Sequence, residues 1–257
     1  MAPTALITGM NGTLAPVVAR EFERKGYQVK AWNRDQVPPD QVDQVEHFVL
    51  QNPPQVIAHL AMGPENWAGQ LAGLSRRLNI PFLFTSTAMV FDHEPDGPHQ
   101  VNDPRTAQDD YGRYKIRCED AIKAASDQSL IVRIGWQIQA EGKGNNMIAA
   151  LDSMMANEGV IKASEDWIPA CSFMEDTAAG LVALVEKNAQ GLFHLDSNAQ
   201  SGWNFPTVVE GLKSLLGKAH WQVETNLEYR HDQRLADTEG QLASLHPLPS
   251  LADRLAS

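Results

Sequence analysis

Residues 4–15 read Thr4-Ala5-Leu6-Ile7-Thr8-Gly9-Met10-Asn11-Gly12-Thr13-Leu14-Ala15. Thr4 to Ile7 is a short, mostly apolar run, the pattern of a parallel strand buried on both faces. Leu14, Val18 and Phe22 then recur at helical spacing, Gly26 closes that helix, and Tyr27 to Ala31 reads as a second strand. Strand, glycine turn, helix and strand fit within about 30 residues, the size of a βαβ unit. Glycines here let the backbone turn tightly and approach a phosphate, while the helix N-terminus aims free N–H groups and a partial positive charge at it. The small Ala15 lets the helix lie close to the sheet. The turn follows the first strand and opens the first helix, which is the context a dinucleotide site requires.

The end of the second strand bears on which dinucleotide. An acidic residue there accepts from the ribose hydroxyls of NAD. The sequence has Trp32-Asn33-Arg34-Asp35 instead. Trp32 occupies the acid's place, and Arg34 can pair with a 2′-phosphate, so NADP(H) is expected in preference to NAD(H). The alternative for Arg34 is a surface arginine beside Asp35.

Apolar strands follow at Val56–Leu60 and Pro81–Thr85, separated by a helix through Trp67, Leu71 and Leu74. Ala61-Met62-Gly63 lies at the C-terminal end of the first, where ligands of open α/β sheets gather. His59, inside that strand, is expected to be a core residue. Ser86 and Thr87 follow the second strand; they can hydrogen-bond a substrate carbonyl or simply close off the strand. A Pro-, Asp- and Gln-rich stretch from His93 to Asp110 reads as a loop. It leads to Tyr111-Gly112-Arg113-Tyr114-Lys115, on a helix running to about Ala125. Residues four apart share a helix face, so Tyr111 and Lys115 are expected side by side. A neighbouring cation lowers a tyrosine pKa, and such a tyrosine can protonate a carbonyl oxygen or deprotonate an alcohol. Leu130–Ile134 is a further strand, and Trp136 after it can be core or pocket wall.

The totals bound the rest. A chain of 257 residues with 43% hydrophobic and 21% charged residues is that of a globular α/β protein with room for a smaller second lobe. A net charge of −11 argues against nucleic acid as a partner. Cys118 and Cys171 are too few and too far apart for a disulfide framework or a metal site. No residues have metal-ligand spacing, no apolar run reaches membrane-spanning length, and no basic leader precedes the first strand. A cytoplasmic protein without membrane contact is expected.

Taken together, a Gly-x-x-Gly-x-x-Ala turn, a hydroxyl strand end followed by Val90-Phe91-Asp92, and a Tyr-x-x-x-Lys helix resemble the extended short-chain dehydrogenase/reductases. More narrowly the chain resembles the dTDP-4-dehydrorhamnose reductase, or sugar-nucleotide reductase, family. Its Ser-Thr-Asp-Tyr-Val-Phe is matched by residues 86–91, its Tyr-Gly-x-x-Lys by 111–115, and its Arg-x-x-Trp by Arg133 to Trp136. Gly144-Asn145-Asn146, the 168–176 segment, Gly191 to Leu195 and the Pro-Leu-Pro-Ser at 247–250 continue the likeness along nearly the whole chain.

The resemblance implies a doubly wound, Rossmann-type parallel sheet. The NAD(P)-binding part would comprise mainly residues 1–136. A substrate-binding lobe would comprise mainly 137–257, with the chain crossing back to the sheet around 168–195. It implies that Tyr111 protonates the carbonyl oxygen, that Tyr111 and Lys115 both bind the nicotinamide ribose, that Lys115 depresses the tyrosine pKa, and that Thr87 hydrogen-bonds the reacting oxygen. Gly12, Thr13 and Leu14 would meet the pyrophosphate, Gly9, Asn11, Asn33 and Arg34 would also bind the cofactor, and Ala61, Met62 and Thr85 would border it. Thr87, Ala88 and Trp136 would contact a nucleotide sugar, in a protein compatible with a homodimer.

The chain departs from the family at four places. Ala88 stands where the family has an aspartate, Met89 replaces the following tyrosine, the glycine loop lacks the Gly-Gln form, and the stretch after Met62 is abbreviated. The leading expectation is an NADPH-dependent reductase of a 4-keto sugar nucleotide. Ala88 motivates the alternative, a non-catalytic NADP-binding regulator like the regulatory subunit of methionine adenosyltransferase. A reductase of another carbonyl compound is a third.

Overall fold

The structure is a computed structural model, and it describes residues 2–141, 144–237 and 240–256. The Thr4–Ala15 stretch forms strand β1 (Thr4–Thr8) and opens helix α1 (Ala15–Arg24). There follow β2 (Gln28–Ala31), α2 (Val42–Gln51), β3 (Val56–His59), α3 (Glu65–Leu78), β4 (Phe82–Thr87), a 3-10 turn at Ala88–Phe91, α4 (Asp110–Ala125) and β5 (Leu130–Ile134). The later half supplies β6 (Trp136–Ile138), α5 (Met147–Glu158), β7 (Ile161–Ser164), β8 (Trp167–Ile168), β9 (Cys171–Phe173), α6 (Met174–Glu186) and β10 (Gly191–Leu195). It closes with α7 (Asn198–Ser201), α8 (Phe205–Leu215), β11 (Val223–Asn226), β12 (His231–Asp232), α9 (Gln241–Leu245) and α10 (Leu251–Ala256).

Six strands pair in parallel in the order β10-β5-β4-β3-β1-β2. The sheet is doubly wound. From β1 the chain goes first to β2 on one side and then to β3 on the other, which leaves a crevice above the ends of β1 and β3. Strand alternation divides the core. Ala5, Ile7, Ala58, Leu83 and Val132 pack with α1 and α6 on one face. Leu6, Ile57, Phe82, Phe84 and Ile131 pack with α2, α3 and α4 on the other. A third cluster, built around Met147, Leu151, Phe205, Leu212 and Trp221, belongs to the later elements. There the strands pair as β6 with β9, β7 with β11 and β8 with β12.

The main differences from the sequence reading lie at strand ends. β4 runs to Thr87, so Ser86 and Thr87 belong to the sheet, opposite Arg133 and Ile134 of β5. The 93–109 loop is strapped down: the His99 N–H donates to the Arg234 carbonyl, and the Ala236 N–H donates to that of His99. Cys118 and Cys171 are buried and free. No helix among the described residues is long and apolar enough to cross a membrane.

Candidate active site

The glycine turn is shaped by its neighbours. Gly9 has φ +87°, and a Cβ there would lie 3.0 Å from the Ala61 backbone nitrogen. The turn therefore sits directly against the end of β3, and only glycine permits both the conformation and the contact. The Gly12 N–H donates to the Gly9 carbonyl at 2.7 Å, and no side chain caps α1. Asn11 and Gly12 are exposed. An uncapped helix N-terminus beside an exposed glycine turn suits a dinucleotide pyrophosphate. The Thr13 hydroxyl takes another partner, accepting from the Asn145 N–H at 3.0 Å, which ties the turn to the later half of the chain. Leu14, at the helix N-cap position, packs partly buried against the core.

Beneath the turn, the Thr8 hydroxyl accepts from the Leu60 and Ala61 N–H groups, both at 3.1 Å. It pairs with His59 Nδ1 at 2.8 Å. Burial, then Lys115 and Arg34, push the His59 pKa down to about 3, so this ring stays neutral as a core residue. The loop after β3 is pinned from α4, where the Tyr114 hydroxyl accepts from the Gly63 N–H at 2.9 Å. Met62 projects into solvent at 51% exposure. The Arg34 guanidinium reaches across from the end of β2, donates to the Met62 carbonyl and lies 5.3 Å over the Trp67 ring. Trp32 is core, its indole N–H donating to the Val37 carbonyl. The Asn33 carboxamide oxygen accepts from the Asp35 N–H at 2.9 Å and so closes its own turn.

Thr87, Tyr111 and Lys115 meet at the C-terminal end of β4. Thr87 caps the 3-10 turn, its hydroxyl accepting from the Met89 N–H at 3.2 Å. Asp109 caps α4, accepting from the Gly112 N–H at 2.8 Å. A Cβ on Gly112 would stand 2.5 Å from Ala107 Cβ and 2.7 Å from the Met89 carbonyl oxygen. The missing side chain thus seats the start of α4 against the turn that follows Thr87. The Thr87 hydroxyl lies near the Tyr111 phenol and acts to lower its pKa.

The electrostatics differ from the sequence expectation. Tyr111 is 38% exposed while Lys115 is buried, and Lys115 Nζ donates to the Thr85 carbonyl at 2.8 Å. It lies 5.9 Å from the centre of the Tyr111 ring and 4.7 Å from that of Phe84. Deprived of water, the ammonium takes a backbone acceptor in place of a position beside the phenol oxygen. Burial lowers the Lys115 pKa to about 8, although Cys118 and Glu119 oppose this. The Tyr111 pKa moves up, not down: desolvation raises it, the Thr87 hydroxyl works against that, and Asp109 raises it further. At neutral pH the pair is a phenol and a buried ammonium.

Ser86 points away from this corner. Its hydroxyl donates to Glu119 Oε1 at 2.6 Å. Glu119 takes two bonds from Arg133, Nε to Oε1 at 3.0 Å and Nη2 to Oε2 at 2.9 Å. Burial would raise the Glu119 pKa, but the Arg133 hydrogen bonds and charge hold it below the usual carboxylate range. Sequence reading passed over this pair, though a signal existed. Arg133 is a lone charge in the apolar strand Leu-Ile-Val-Arg-Ile, and a buried charge requires a partner. Removing either partner costs about 3–5 kcal/mol in such pairs.

Ala88 is 4% exposed and apolar. Trp136 is half-buried and belongs to an aromatic group, its ring centroid 6.1 Å from those of both Trp167 and Phe205. No group of three or more metal-binding side chains occurs among the described residues.

Comparison with known proteins agrees with this architecture. The family model for the RmlD substrate binding domain matches residues 65–209, more than half of the chain. The dTDP-4-dehydrorhamnose reductase of Mycolicibacterium smegmatis is 27% identical over 214 residues, covering 76% of this chain and 64% of that relative, less than two thirds of its length. Among solved structures, the dTDP-4-dehydrorhamnose reductase of Bacillus anthracis in complex with NADP superposes with TM-score 0.78 at 18% identity, over 100% of this chain and 98% of that one. The Clostridium acetobutylicum orthologue of that reductase gives 0.79 at 18% identity, over 98% of each chain.

Proposed function

The chain belongs to the RmlD substrate-binding domain family, and on that premise we propose that it is an NADPH-dependent reductase of the 4-keto group of a nucleotide sugar, with dTDP-4-dehydrorhamnose reductase-like activity. The observation that carries the reading is the meeting of Thr87, Tyr111 and Lys115 at the end of β4, a strand away from the crevice between Gly9 and Ala61. Bound NADPH supplies the hydride. Tyr111, a phenol at neutral pH, donates its proton to the carbonyl oxygen as negative charge develops there. Its upward-shifted pKa suits the acid of a reduction better than the base of an alcohol oxidation. The Thr87 hydroxyl orients the phenol and the substrate oxygen. Lys115, fixed by the Thr85 carbonyl, places a positive charge behind the ring and holds the nicotinamide ribose. Trp136 and its aromatic neighbours offer a wall for the sugar.

Support for NADPH over NADH comes from the exposed Arg34 at the end of β2, where the buried Trp32 takes the place at which an acidic residue would accept from ribose hydroxyls. The Bacillus anthracis structure carries NADP, while another neighbour, an enzyme of Bordetella bronchiseptica, carries NAD, and both support a nicotinamide dinucleotide.

The test is NADPH oxidation with dTDP-4-dehydro-rhamnose, followed by other keto sugar nucleotides. Turnover with one of them is expected, and the enzyme reading fails if no carbonyl compound is reduced. Ala88 favours a second reading, since it is buried and has no hydrogen-bonding group where the family's aspartate stands. A protein that binds NADP, turns nothing over and co-purifies with a stable partner would be the non-catalytic regulator.

A further inference from the structure

The Glu119–Arg133 pair takes no part in the reduction just described, yet it is almost wholly enclosed, with side chains 0% and 1% exposed. It joins three elements of the sheet layer: Ser86 on β4, Glu119 on α4 and Arg133 on β5. The guanidinium reaches further. Its Nη1 donates to the Val101 carbonyl at 3.1 Å and meets His194 Nε2 of β10 at 3.3 Å. Its plane lies 4.9 Å from the centre of Phe91, in the turn that follows Thr87. At the rim, Arg105 adds a contact to Glu119 Oε2 at 3.3 Å.

Glu119 stands four residues from Lys115 and eight from Tyr111, along one face of α4. A helix is rigid over two turns, so whatever fixes the rotation of α4 at Glu119 fixes it at Tyr111. Apolar packing alone would hold the helix against the sheet as strongly, and buried ion pairs are often replaced by apolar residues without loss of stability. What an apolar set lacks is direction. Two parallel N–H···O bonds from one guanidinium define the carboxylate in plane and angle, and the Ser86 hydroxyl adds a third line at 2.6 Å. Resting on the reductase reading above, we infer that Ser86, Glu119 and Arg133 are positioning residues that set the rotation of α4, so that Tyr111 and Lys115 face Thr87 and the cofactor crevice. Through Phe91 and Val101 the same guanidinium places the 3-10 turn and the strapped loop relative to that helix.

The experiment separates placement from stability. Glu119→Gln, the apolar double variant Glu119→Leu/Arg133→Met, and Ser86→Ala are compared with wild type in Tm, NADPH affinity by fluorescence titration, and kcat and KM with dTDP-4-dehydro-rhamnose. Glu119→Gln is expected to lower both Tm and kcat. The double variant is expected to recover Tm, while kcat stays about tenfold or more below wild type, KM for the sugar changes by less than about threefold, and NADPH binds about tenfold more weakly. Recovery of kcat and NADPH affinity together with Tm overturns the inference. Should the double variant not fold, Ser86→Ala, assayed well below its own Tm so that all of it is folded, decides: a kcat reduced by about threefold or more supports the inference, and an unchanged kcat overturns it. Should wild type reduce no sugar, the reductase reading fails by itself. NADPH affinity then decides the inference, with weaker binding in the variants supporting placement of Lys115 and equal binding refuting it.

Discussion

Replacing Lys115 by methionine should make the cofactor-free protein more stable. Lys115 is buried at 4% exposure, and its pKa falls from the ordinary 10.5 to about 8. Between these values the unfolded chain holds a proton that the folded chain has released, so folding becomes more favourable as pH rises through that window. Below pH 8 the destabilisation is complete. A shift of about 2.5 units at 1.36 kcal/mol each is about 3 kcal/mol. Methionine has a similar unbranched shape but leaves the Thr85 carbonyl without its 2.8 Å donor, which costs about 1 kcal/mol. The net gain is about 2 kcal/mol at pH 7, or about 4–8 °C in Tm for a chain of this size. The assay is urea unfolding of wild type and Lys115→Met from pH 7 to 10.5, taking the difference so that other titrating groups cancel. That difference should favour the variant at pH 7, shrink above pH 8 and reverse by about pH 10.5, where only the unpaired Thr85 carbonyl remains and wild type is ahead by up to about 1 kcal/mol, while NADPH-dependent turnover is lost. A variant less stable than wild type at pH 7, or a difference that ignores pH, would refute the reasoning.

Three further outcomes follow from the site. Tyr111→Phe keeps the ring and removes the proton, so kcat should fall by about 10²–10⁴ while NADPH affinity falls by about tenfold at most, the loss of one hydrogen bond; steady-state kinetics and a binding titration check this. Arg34→Ala should reduce the preference for NADPH over NADH, read as the ratio of kcat/KM values, and an unchanged ratio would remove Arg34 from the 2′-phosphate site. Gly112→Ala forces a methyl toward the Met89 carbonyl and Ala107, at 2.7 and 2.5 Å. It should cost about 1–3 kcal/mol by chemical denaturation and lower kcat as well, because the start of α4 must back away from Thr87.

Local features were legible in the sequence because short-range physics creates them. The Thr4–Ala15 stretch specifies strand, turn and helix through residues that touch one another, and the apolar runs of β3, β4 and β5 need two covered faces wherever they lie. The neighbourhood of Thr87, Tyr111 and Lys115 was legible as a pattern. Their charge state was not, since helical spacing says that Lys115 shares a face with Tyr111 but not that the face is buried and a carbonyl waits at Thr85. Ser86 shows the same limit. One residue along a strand reverses the side chain's direction, and a partner 33 residues away claimed its hydroxyl. The parallel pairing of Ile161–Ser164 with Val223–Asn226 joins segments too distant for any local signal.

The return of the chain to the large sheet has a consequence for dissection. β5 lies between β4 on one side and β10 on the other, and β10 arrives only after β6 to α6 have been built. A fragment ending at Ile134 would expose β5 as a bare edge, with Leu130 and Val132 stripped of α6, which is a template for aggregation. Such a nucleotide-binding piece should be insoluble if expressed alone. A chain nicked once between β6 and α5 should behave differently, its two pieces remaining clasped through β10, α6 and β9 and separating only in denaturant.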